Sequence, residues 1–200
     1  QGDVAHVVGG SVPTVPRTED LPTRPISPYG ASKLAAESLV LAYTSAYNMR
    51  NIALRFFNVY GPRQRSDGPY AAVIPRFIKA ALTGRSIDIH GTGEQSRDFT
   101  YVETVAQIVE QALTRPDLRL DKPVSLAFGS TTSINEIASL VEEISNVKLE
   151  RGYSASRPAD ITASTNDPAF LHSIFPEVAD LSISDGLKRT LDWFKRQSSE

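Results

Sequence analysis

Strand-forming segments alternate with amphipathic helices along most of this chain, and this order limits the folds available to it. The segment NIALRFFNVYGP, residues 51–62, is rich in β-forming residues and ends at Gly-Pro, which predicts a buried strand. Apolar residues at helical spacing follow Pro28, and AVIPRFIKAALTGR predicts a second helix. Further along, the predicted strand VSLAFGS lies between the helices VETVAQIVEQALTRP and SINEIASLVEEIS. Such alternation predicts an α/β fold.

Residues that start and stop secondary structure support these assignments. Gly84 and Pro116 are predicted to end their helices, and Ser133 with Glu136 is predicted to form a capping box. Five prolines predict a loop at 10–28. The remaining segments are predicted as a short helix in NDPAFLHSI, a terminal amphipathic helix in ISDGLKRTLDWFKRQ, and mixed strand and loop in KLERGYSASRPADITAST.

The glycine-containing segment GTGEQS, residues 91–96, raises the question of a phosphate-binding loop. Strand-like residues RDFTYV follow it, whereas a dinucleotide-binding turn opens a helix and is followed by an acidic residue after the next strand. The sequence holds no strand, Gly-rich turn and helix in that order. We therefore predict two short strands joined by an ordinary turn.

Composition excludes several classes of protein. A net charge of −2 gives no bias toward nucleic acid or anionic membranes, and no apolar run reaches membrane-spanning length. The segment DVAHVVGG near the start does not read as a signal peptide, and zero cysteines exclude disulfides and thiolate metal sites. His6, His90 and His172 are isolated, so no metal site is predicted. We expect a cytoplasmic enzyme or binding protein.

The segment SPYGASKLAAE, residues 27–37, places Tyr29 and Lys33 one helical turn apart. A phenol is a weak base at neutral pH unless its anion is stabilised, and a neighbouring ammonium stabilises it. The position of Tyr29 in the first turn adds the favourable helix dipole. The alternative is an ordinary amphipathic helix that carries both residues by chance.

Several linked segments resemble one family, from about residue 4 to residue 196. SPYGASKLAAE, NIALRFFNVYGPRQ, GTGEQSRDFTYV, SINEIASLVEEI and RPADITASTNDPAFL are similar to extended short-chain dehydrogenase/reductases, in particular NAD-dependent nucleotide-sugar epimerases and dehydratases. The resemblance implies the C-terminal half of a Rossmann-type parallel sheet plus a small mixed α/β substrate-binding domain. Residues 1–65 would belong to the NAD-binding part and 66–200 mainly to the substrate domain, with 99–130 contributing to the former.

The same resemblance implies an isomerase that works with NAD. Tyr29 would take the proton of the sugar 4-hydroxyl while hydride passes to NAD, and Lys33 would hold the nicotinamide ribose and stabilise the phenolate. The resulting 4-keto sugar rotates and is reduced from its other face. The backbone from Phe57 to Val59 would lie near the nicotinamide, and Asn58 near the substrate diphosphate. A cap at the end of a strand is the alternative role for Asn58.

Two arginines and an aspartate are implied to hold the nucleotide diphosphate and ribose. Arg97 and Arg157 would clamp the diphosphate, since planar guanidinium groups suit this task. Asp160 would accept a hydrogen bond from the ribose. The alternatives are a surface ion pair between Arg97 and Asp98 and a local pair between Arg157 and Asp160.

Other implied contacts concern the sugar and the base of a UDP-sugar. Ala72 and Val73 would line the sugar pocket, and Ile89 and His90 would flank the base. DGPYAAVIPRF is most similar to 4-epimerases that accept N-acetylated hexosamines. Ser164, four residues after Asp160, leaves room for an acetamido group where an aromatic residue closes the pocket of stricter enzymes.

The sequence departs from the family pattern near its start. The family carries a Ser or Thr that hydrogen-bonds the sugar, and the matching position here is Val4 or Ala5. The family's usual tyrosine before a glycine corresponds to Val8 or Gly9. About 100 residues of the dinucleotide fold, including its Gly-rich turn, have no counterpart. We therefore expect the isolated chain to be inactive and to form a homodimer through the Tyr29–Lys33 helix.

Two alternatives to an epimerase stay open. The first is a truncated, non-catalytic protein that binds a nucleotide sugar or forms dimers. The second is a nucleotide-sugar 4,6-dehydratase, which needs an acidic pair beside the hydroxyl residue. DVAHVVGG offers only Asp3 there, so the dehydratase ranks lower.

Overall fold

The computed structural model describes residues 16–68, 71–156 and 165–197, and its element order confirms the predicted α/β fold. The helices are α1 (Pro28–Tyr47), α2 (Val73–Thr83), α3 (Val102–Thr114), α4 (Ile134–Ser145), α5 (Ala169–Ile174) and α6 (Ile183–Gln197). The strands are β1 (Leu54–Phe56), β2 (Asn58–Tyr60), β3 (Ile87–His90), β4 (Ser96–Arg97), β5 (Phe99–Tyr101), β6 (Val124–Leu126), β7 (Thr132–Ser133) and β8 (Arg151–Ser154).

Three of the four strand pairs are parallel. β1 pairs with β6, β2 with β5 and β3 with β8 in parallel, while the short β4 and β7 pair antiparallel. Parallel neighbours need long crossover connections, and helices supply them here. The prediction of one strand over 51–62 is wrong in detail, because the chain leaves one partner at Phe57 and takes another. Likewise, the segment predicted as two strands around GTGEQS forms β3, β4 and β5.

The predicted helix boundaries are confirmed by their capping contacts. Ser27 caps α1 by accepting a hydrogen bond from the Gly30 amide at 3.0 Å, with Pro28 in the first position. Gly84 ends α2 in the left-handed conformation. At α4, Ser133 and Glu136 each accept a hydrogen bond from the other's amide, which completes the capping box.

Two clusters of buried apolar side chains hold the elements together. The larger lies among α2, α4, α6 and strands β3 and β5; it includes Phe77, Ile78, Ile89, Ile137, Val141, Leu187 and Leu191. The smaller lies among β6, α3 and α5; it includes Ile108, Val124, Leu126, Leu171 and Phe175. Burial of such side chains is the main stabilising contribution to a fold of this size.

Helix α1 is attached in a different way. It buries only Gly30 and Thr44. Two oxygens of Glu37 accept hydrogen bonds from Arg55 of β1, both at 2.7 Å. Arg119 donates to the carbonyl of Thr44 at 2.9 Å and to the side chain of Asn48. Polar contacts therefore hold a helix whose apolar side chains lie largely at the surface.

The proline-rich loop lies along the outer side of β6. Arg17 exchanges backbone hydrogen bonds with Thr165 and Asp167, at 3.1 and 2.9 Å. Glu19, which is buried, accepts a hydrogen bond from the amide of Ser125 at 2.9 Å. The loop is thus fixed to the sheet at the one place where β6 presents an outward amide.

Among the helices that the structure describes, none combines the length and the apolar character that crossing a membrane requires.

Candidate functional site

A cleft of about 430 Å³ opens where β2, β3 and β4 meet the start of α2. Its floor is apolar, with Phe77, Ile89 and Phe99 buried beneath it. Polar groups converge at its rim, among them Asn58, Gln95 and Arg97. An apolar floor with a few convergent polar groups is the usual character of a ligand site.

The cleft brings together eight of the residues predicted from the sequence to contact substrate or cofactor. These are Phe57, Asn58, Val59, Ala72, Val73, Ile89, His90 and Arg97. Tyr29 and Lys33 do not line it. Arg157, Asp160 and Ser164 lie outside the described residues, as do Val4, Ala5, Val8 and Gly9. The individual roles of all these residues stay predictions.

Two guanidinium groups face the cleft. Arg97 lies on β4 and donates a hydrogen bond to the carbonyl of Ser96 at 2.8 Å. Arg76, on the first turns of α2, also lines the cleft and was not singled out in the sequence. Asp88 is the acidic residue among the lining side chains that the structure describes. Two permanently charged, planar guanidinium groups beside an apolar floor suit an anionic ligand such as a diphosphate.

Asp98 is not the surface partner of Arg97, so the alternative of a surface ion pair is wrong. Its side chain is fully buried and accepts hydrogen bonds from the amides of Phe128 and Gly129, at 3.3 and 2.8 Å. Burial raises the pKa of Asp98 to about 6, against the opposing effect of these two amides. The carboxylate joins the end of β6 to the segment that carries Arg97.

Asn58 is fixed by the same segment. Its side-chain amide donates to the carbonyl of Asp98 at 3.1 Å, and its backbone amide donates to the same oxygen at 3.4 Å. The side chain therefore links β2 to the residue just before β5. This contact joins two strands, whereas the alternative role was only to cap the end of one strand. This contact orients the amide group at the rim of the cleft.

His90 lines the cleft at the end of β3, beside residues that were not predicted from the sequence. Its Nδ1 lies 2.8 Å from Oγ of Ser154, which donates to Oδ2 of Asp88 at 3.0 Å. Gln95 donates to the carbonyl of His90 at 2.6 Å. The period-two spacing of Asp88 and His90 in a strand was the available signal, since it places both side chains on one face.

The GTGEQS turn is confirmed as an ordinary connection and not a phosphate loop. It leads into β4 and not into a helix. Gly93 has a φ of +81°, and a Cβ atom there would overlap the side chain of Asn135. Asn135 in turn donates to the carbonyl of Thr92 at 3.0 Å. The glycine thus serves close packing between this turn and α4.

Tyr29 and Lys33 lie on the first two turns of α1, as predicted. The Lys33 ammonium is 5.3 Å from the centroid of the Tyr29 ring, and the tyrosine is 63% exposed. An ammonium at this distance interacts favourably with the face of the aromatic ring. The pair therefore has the geometry that the spacing predicted, on an open surface.

Within the described ranges, no three His, Asp or Glu side chains are grouped so that they could hold a metal ion.

Comparison with known proteins shows which family this chain matches. Residues 5–125 match the family described as "NAD dependent epimerase/dehydratase family". A UDP-glucuronate 4-epimerase of Thermodesulfobacterium geofontis is 34% identical over 182 residues, which cover 90% of this chain and 54% of that protein.

Solved structures are similar over the same region. A UDP-N-acetylglucosamine 4-epimerase from Methanobrevibacter ruminantium, in complex with UDP-N-acetylmuramic acid, superposes with a TM-score of 0.85 at 35% identity, covering 94% of this chain and 60% of that one. A UDP-glucuronic acid 4-epimerase from Bacillus cereus, in complex with UDP-glucuronic acid and NAD, gives 0.82 at 30% identity, with coverages of 92% and 58%. The chain therefore has the Rossmann-type fold of these enzymes and spans about half the length of the curated relatives it matches.

Proposed function

Because the chain belongs to the NAD-dependent epimerase/dehydratase family, we propose that it supplies the nucleotide-sugar site and the Tyr29–Lys33 pair of a UDP-sugar 4-epimerase. The observation that carries this proposal is the cleft, which brings together eight of the contact residues that the family resemblance implied. Residues 1–65 then belong to the NAD-binding part, and 66–200 mainly to the substrate domain.

The ligand we propose for the cleft is a UDP-linked sugar. Arg76 and Arg97 supply two fixed positive charges for the diphosphate, and Asn58 supplies an oriented amide beside them. Ala72 and Val73 give the sugar a small apolar wall. The UDP-sugars bound in the two related structures support the choice of nucleotide. Arg157, Asp160 and Ser164 complete the proposed set.

In the proposed reaction Tyr29 takes the proton of the sugar 4-hydroxyl and returns it after the 4-keto sugar has presented its other face. Lys33 stabilises the phenolate oxygen between these steps. NAD, when bound, accepts and returns the hydride, which removes hydrogen from C4 and then restores it. Tyr29, Lys33, Phe57 and Val59 are the residues that would hold its nicotinamide end. The exposed side chains of Tyr29 and Lys33 and the half-buried apolar side chains of Phe57 and Val59 fit that group.

A second candidate is nucleotide-sugar binding without turnover. It is favoured by Val4 or Ala5 at the position where the family carries a hydroxyl, since neither side chain can donate a hydrogen bond. A 4,6-dehydratase ranks below both candidates. The three differ in product: a C4 epimer, no product, or a 4-keto-6-deoxy sugar.

We also propose a homodimer formed through α1. Leu39, Tyr43 and Tyr47 follow one another at four-residue spacing and are 61%, 49% and 70% exposed. The two tyrosine rings stack with centroids 5.2 Å apart. A row of this kind is suited to pairing with its own copy. Sedimentation velocity tests it, because a chain that stays monomeric over the accessible concentration range contradicts the dimer.

Calorimetric titration of the 200-residue chain with UDP and with NAD tests the proposed site. We expect UDP to bind. Arg97→Ala should weaken it about 10- to 100-fold, as loss of a charge-assisted contact costs about 1.5–3 kcal/mol. Arg97→Lys keeps the charge without the planar fork and should lie between the two. Arg85→Ala, at an exposed position outside the cleft, is the matched control.

Absence of UDP binding to the wild-type chain would refute the nucleotide-sugar site. The epimerase itself is tested in a polypeptide in which this chain follows a Gly-rich dinucleotide-binding half. Incubation with a UDP-hexose or UDP-N-acetylhexosamine should yield the C4 epimer, and chromatography of the sugars identifies it. A 4-keto-6-deoxy product would assign the dehydratase instead.

A further inference from the structure

Three polar side chains form a hydrogen-bonded series at the His90 end of the cleft. Oγ of Ser154 lies 2.8 Å from Nδ1 of His90 and 3.0 Å from Oδ2 of Asp88, whereas Nδ1 and Oδ2 are 3.8 Å apart. Ser154 therefore stands between the imidazole and the carboxylate. This order differs from that of a nucleophilic triad, in which histidine stands in the middle.

The number of available protons fixes the direction of both hydrogen bonds. An ionised carboxylate only accepts, so Ser154 must give its single hydroxyl proton to Asp88. The hydroxyl can then only accept from the ring, so Nδ1 of His90 must carry a proton. In the neutral imidazole this leaves Nε2 as an acceptor. The carboxylate thus selects the tautomer of a ring that it does not touch.

We infer that Asp88 and Ser154 are positioning residues that hold the imidazole of His90 in its Nδ1–H form at the nucleotide-base end of the cleft. The inference rests on the proposed function for the identity of the ligand. The inference explains why the His90 ring has one orientation, with Nδ1 as the hydrogen-bond donor and Nε2 as the acceptor. Any group that meets Nε2 of the neutral ring must then be a hydrogen-bond donor.

The backbone supports the same arrangement. In the parallel pairing of β3 with β8, His90 lies opposite Ser154, and Asp88 precedes His90 by two residues on the same face. The amide of Gly91 donates to the carbonyl of Ser154 at 2.9 Å, and Gln95 holds the carbonyl of His90. These hydrogen bonds therefore fix the backbone of Ser154 and of His90, and with them the positions of the hydroxyl and the imidazole.

The direct test is the tautomer of His90 in the ligand-free chain. Nitrogen-15 NMR of histidine-labelled protein at pH 8.5 distinguishes Nδ1–H from Nε2–H, and His90→Gln identifies the signal among the three histidines. We expect Nδ1–H in the wild type. In Ser154→Ala and Asp88→Ala the population should move toward Nε2–H, while Ser154→Thr, which keeps the hydroxyl, should restore it.

The second readout is UDP affinity in the same variants. Ser154→Ala should weaken UDP about 3- to 10-fold, the range expected for one hydrogen bond, and Ser154→Thr should recover it. Asp88 and Ser154 are exposed, so truncation there leaves both buried clusters intact. Unchanged thermal unfolding of each variant verifies this.

The outcomes separate this inference from the function on which it rests. A wild-type ring in the Nε2–H form, or unaltered tautomer and UDP affinity in Ser154→Ala, overturns the positioning role and leaves the UDP site standing. Absence of UDP binding to the wild type overturns the proposed function and this inference with it. An Nδ1–H ring whose form and UDP affinity both depend on the Ser154 hydroxyl supports both.

Discussion

The cleft and helix α1 are built on opposite principles. Around the cleft, α2, α4 and α6 enclose the larger buried cluster, and each rim group is held by a further hydrogen bond. Helix α1 buries two small residues and is tethered by Glu37–Arg55 and by Arg119. One region is held by apolar packing, and the other by a few polar contacts.

This difference assigns binding and chemistry to separate parts of the chain. Those residues proposed to bind the nucleotide sugar that the structure describes line a cleft beside the larger buried cluster. The pair proposed to move protons lies on a surface that exposes Tyr29 and Leu39. We therefore expect the two proposed activities to respond independently to mutation. Three variants test that separation, from the largest expected effect to the smallest.

Tyr29→Phe removes the proposed proton acceptor and nothing that lines the cleft. Turnover should fall by about 10²- to 10⁴-fold, the usual contribution of one acid–base group, while UDP affinity stays the same. The measurement is epimer formation in a polypeptide that contains the dinucleotide-binding half, beside calorimetry with UDP. Tyr47→Phe, another exposed tyrosine on α1, is the control and should change neither. An unaltered rate in Tyr29→Phe would exclude the proposed role.

Asp98→Asn tests the packed region through its pH dependence. The pKa of Asp98 is about 6 in the folded chain, above 3.8 for an exposed aspartate. The stabilising contribution of the carboxyl is therefore complete below pH 4 and is lost as the pH rises through about 6. Since one pKa unit corresponds to about 1.4 kcal/mol, the advantage of wild type over Asp98→Asn should shrink by up to about 3 kcal/mol between pH 4 and 7.5.

Urea unfolding at the two pH values measures this change, and Asp192→Asn, which removes an exposed carboxylate, serves as control. Amide hydrogen exchange then shows which part of the chain is affected. At least one of the Phe128 and Gly129 amides should exchange faster in Asp98→Asn, because one of the two oxygens that accept their hydrogen bonds becomes an NH₂ group, while the amides of α1 keep their rates. A difference in stability between wild type and Asp98→Asn that does not vary with pH would contradict the raised pKa of Asp98.

Leu39→Glu carries the smallest expected effect and concerns only the surface of α1. If α1 pairs with its own copy, a charge at this position weakens the dimer about 10- to 30-fold, since a buried leucine contributes about 1.5–2 kcal/mol. Leu113→Glu on α3 is the matched control, because Leu113 is 81% exposed and lies outside the proposed interface. Sedimentation velocity of both variants measures the dissociation constant. Equal constants for the two variants would argue against α1 as the interface.

Local signals predicted much of this fold. Pro28 indicated the start of α1, Gly84 the end of α2, and Ser133 with Glu136 the start of α4, because each acts within a few residues of its own position. Tyr29 and Lys33 were recognised for the same reason. Strand partners were not predictable in this way. The change of partner at Phe57 depends on β5 and β6, which come more than forty residues later.

The missed site residues share that dependence on distant contacts. Asp98 follows Arg97 and precedes an aromatic residue, which suggests a surface ion pair until the amides of Phe128 and Gly129 are brought to it. Ser154 reaches His90 across 64 positions through the pairing of β3 with β8. Neither contact has a signature in the residues beside it. Resemblance to a family supplied Asn58, Ile89 and Arg97, which no periodicity singles out.

The contact between Glu19 and Ser125 makes the two edges of the β1–β6 pair different. In β6, the amide of Val124 donates to Ala53 next to β1, so the intervening amide of Ser125 points away from β1. Glu19 accepts the hydrogen bond of that outward amide, and a charged group at the edge of a sheet opposes pairing with a further strand. At Ser125, a further strand could therefore pair with β6 only by displacing Glu19.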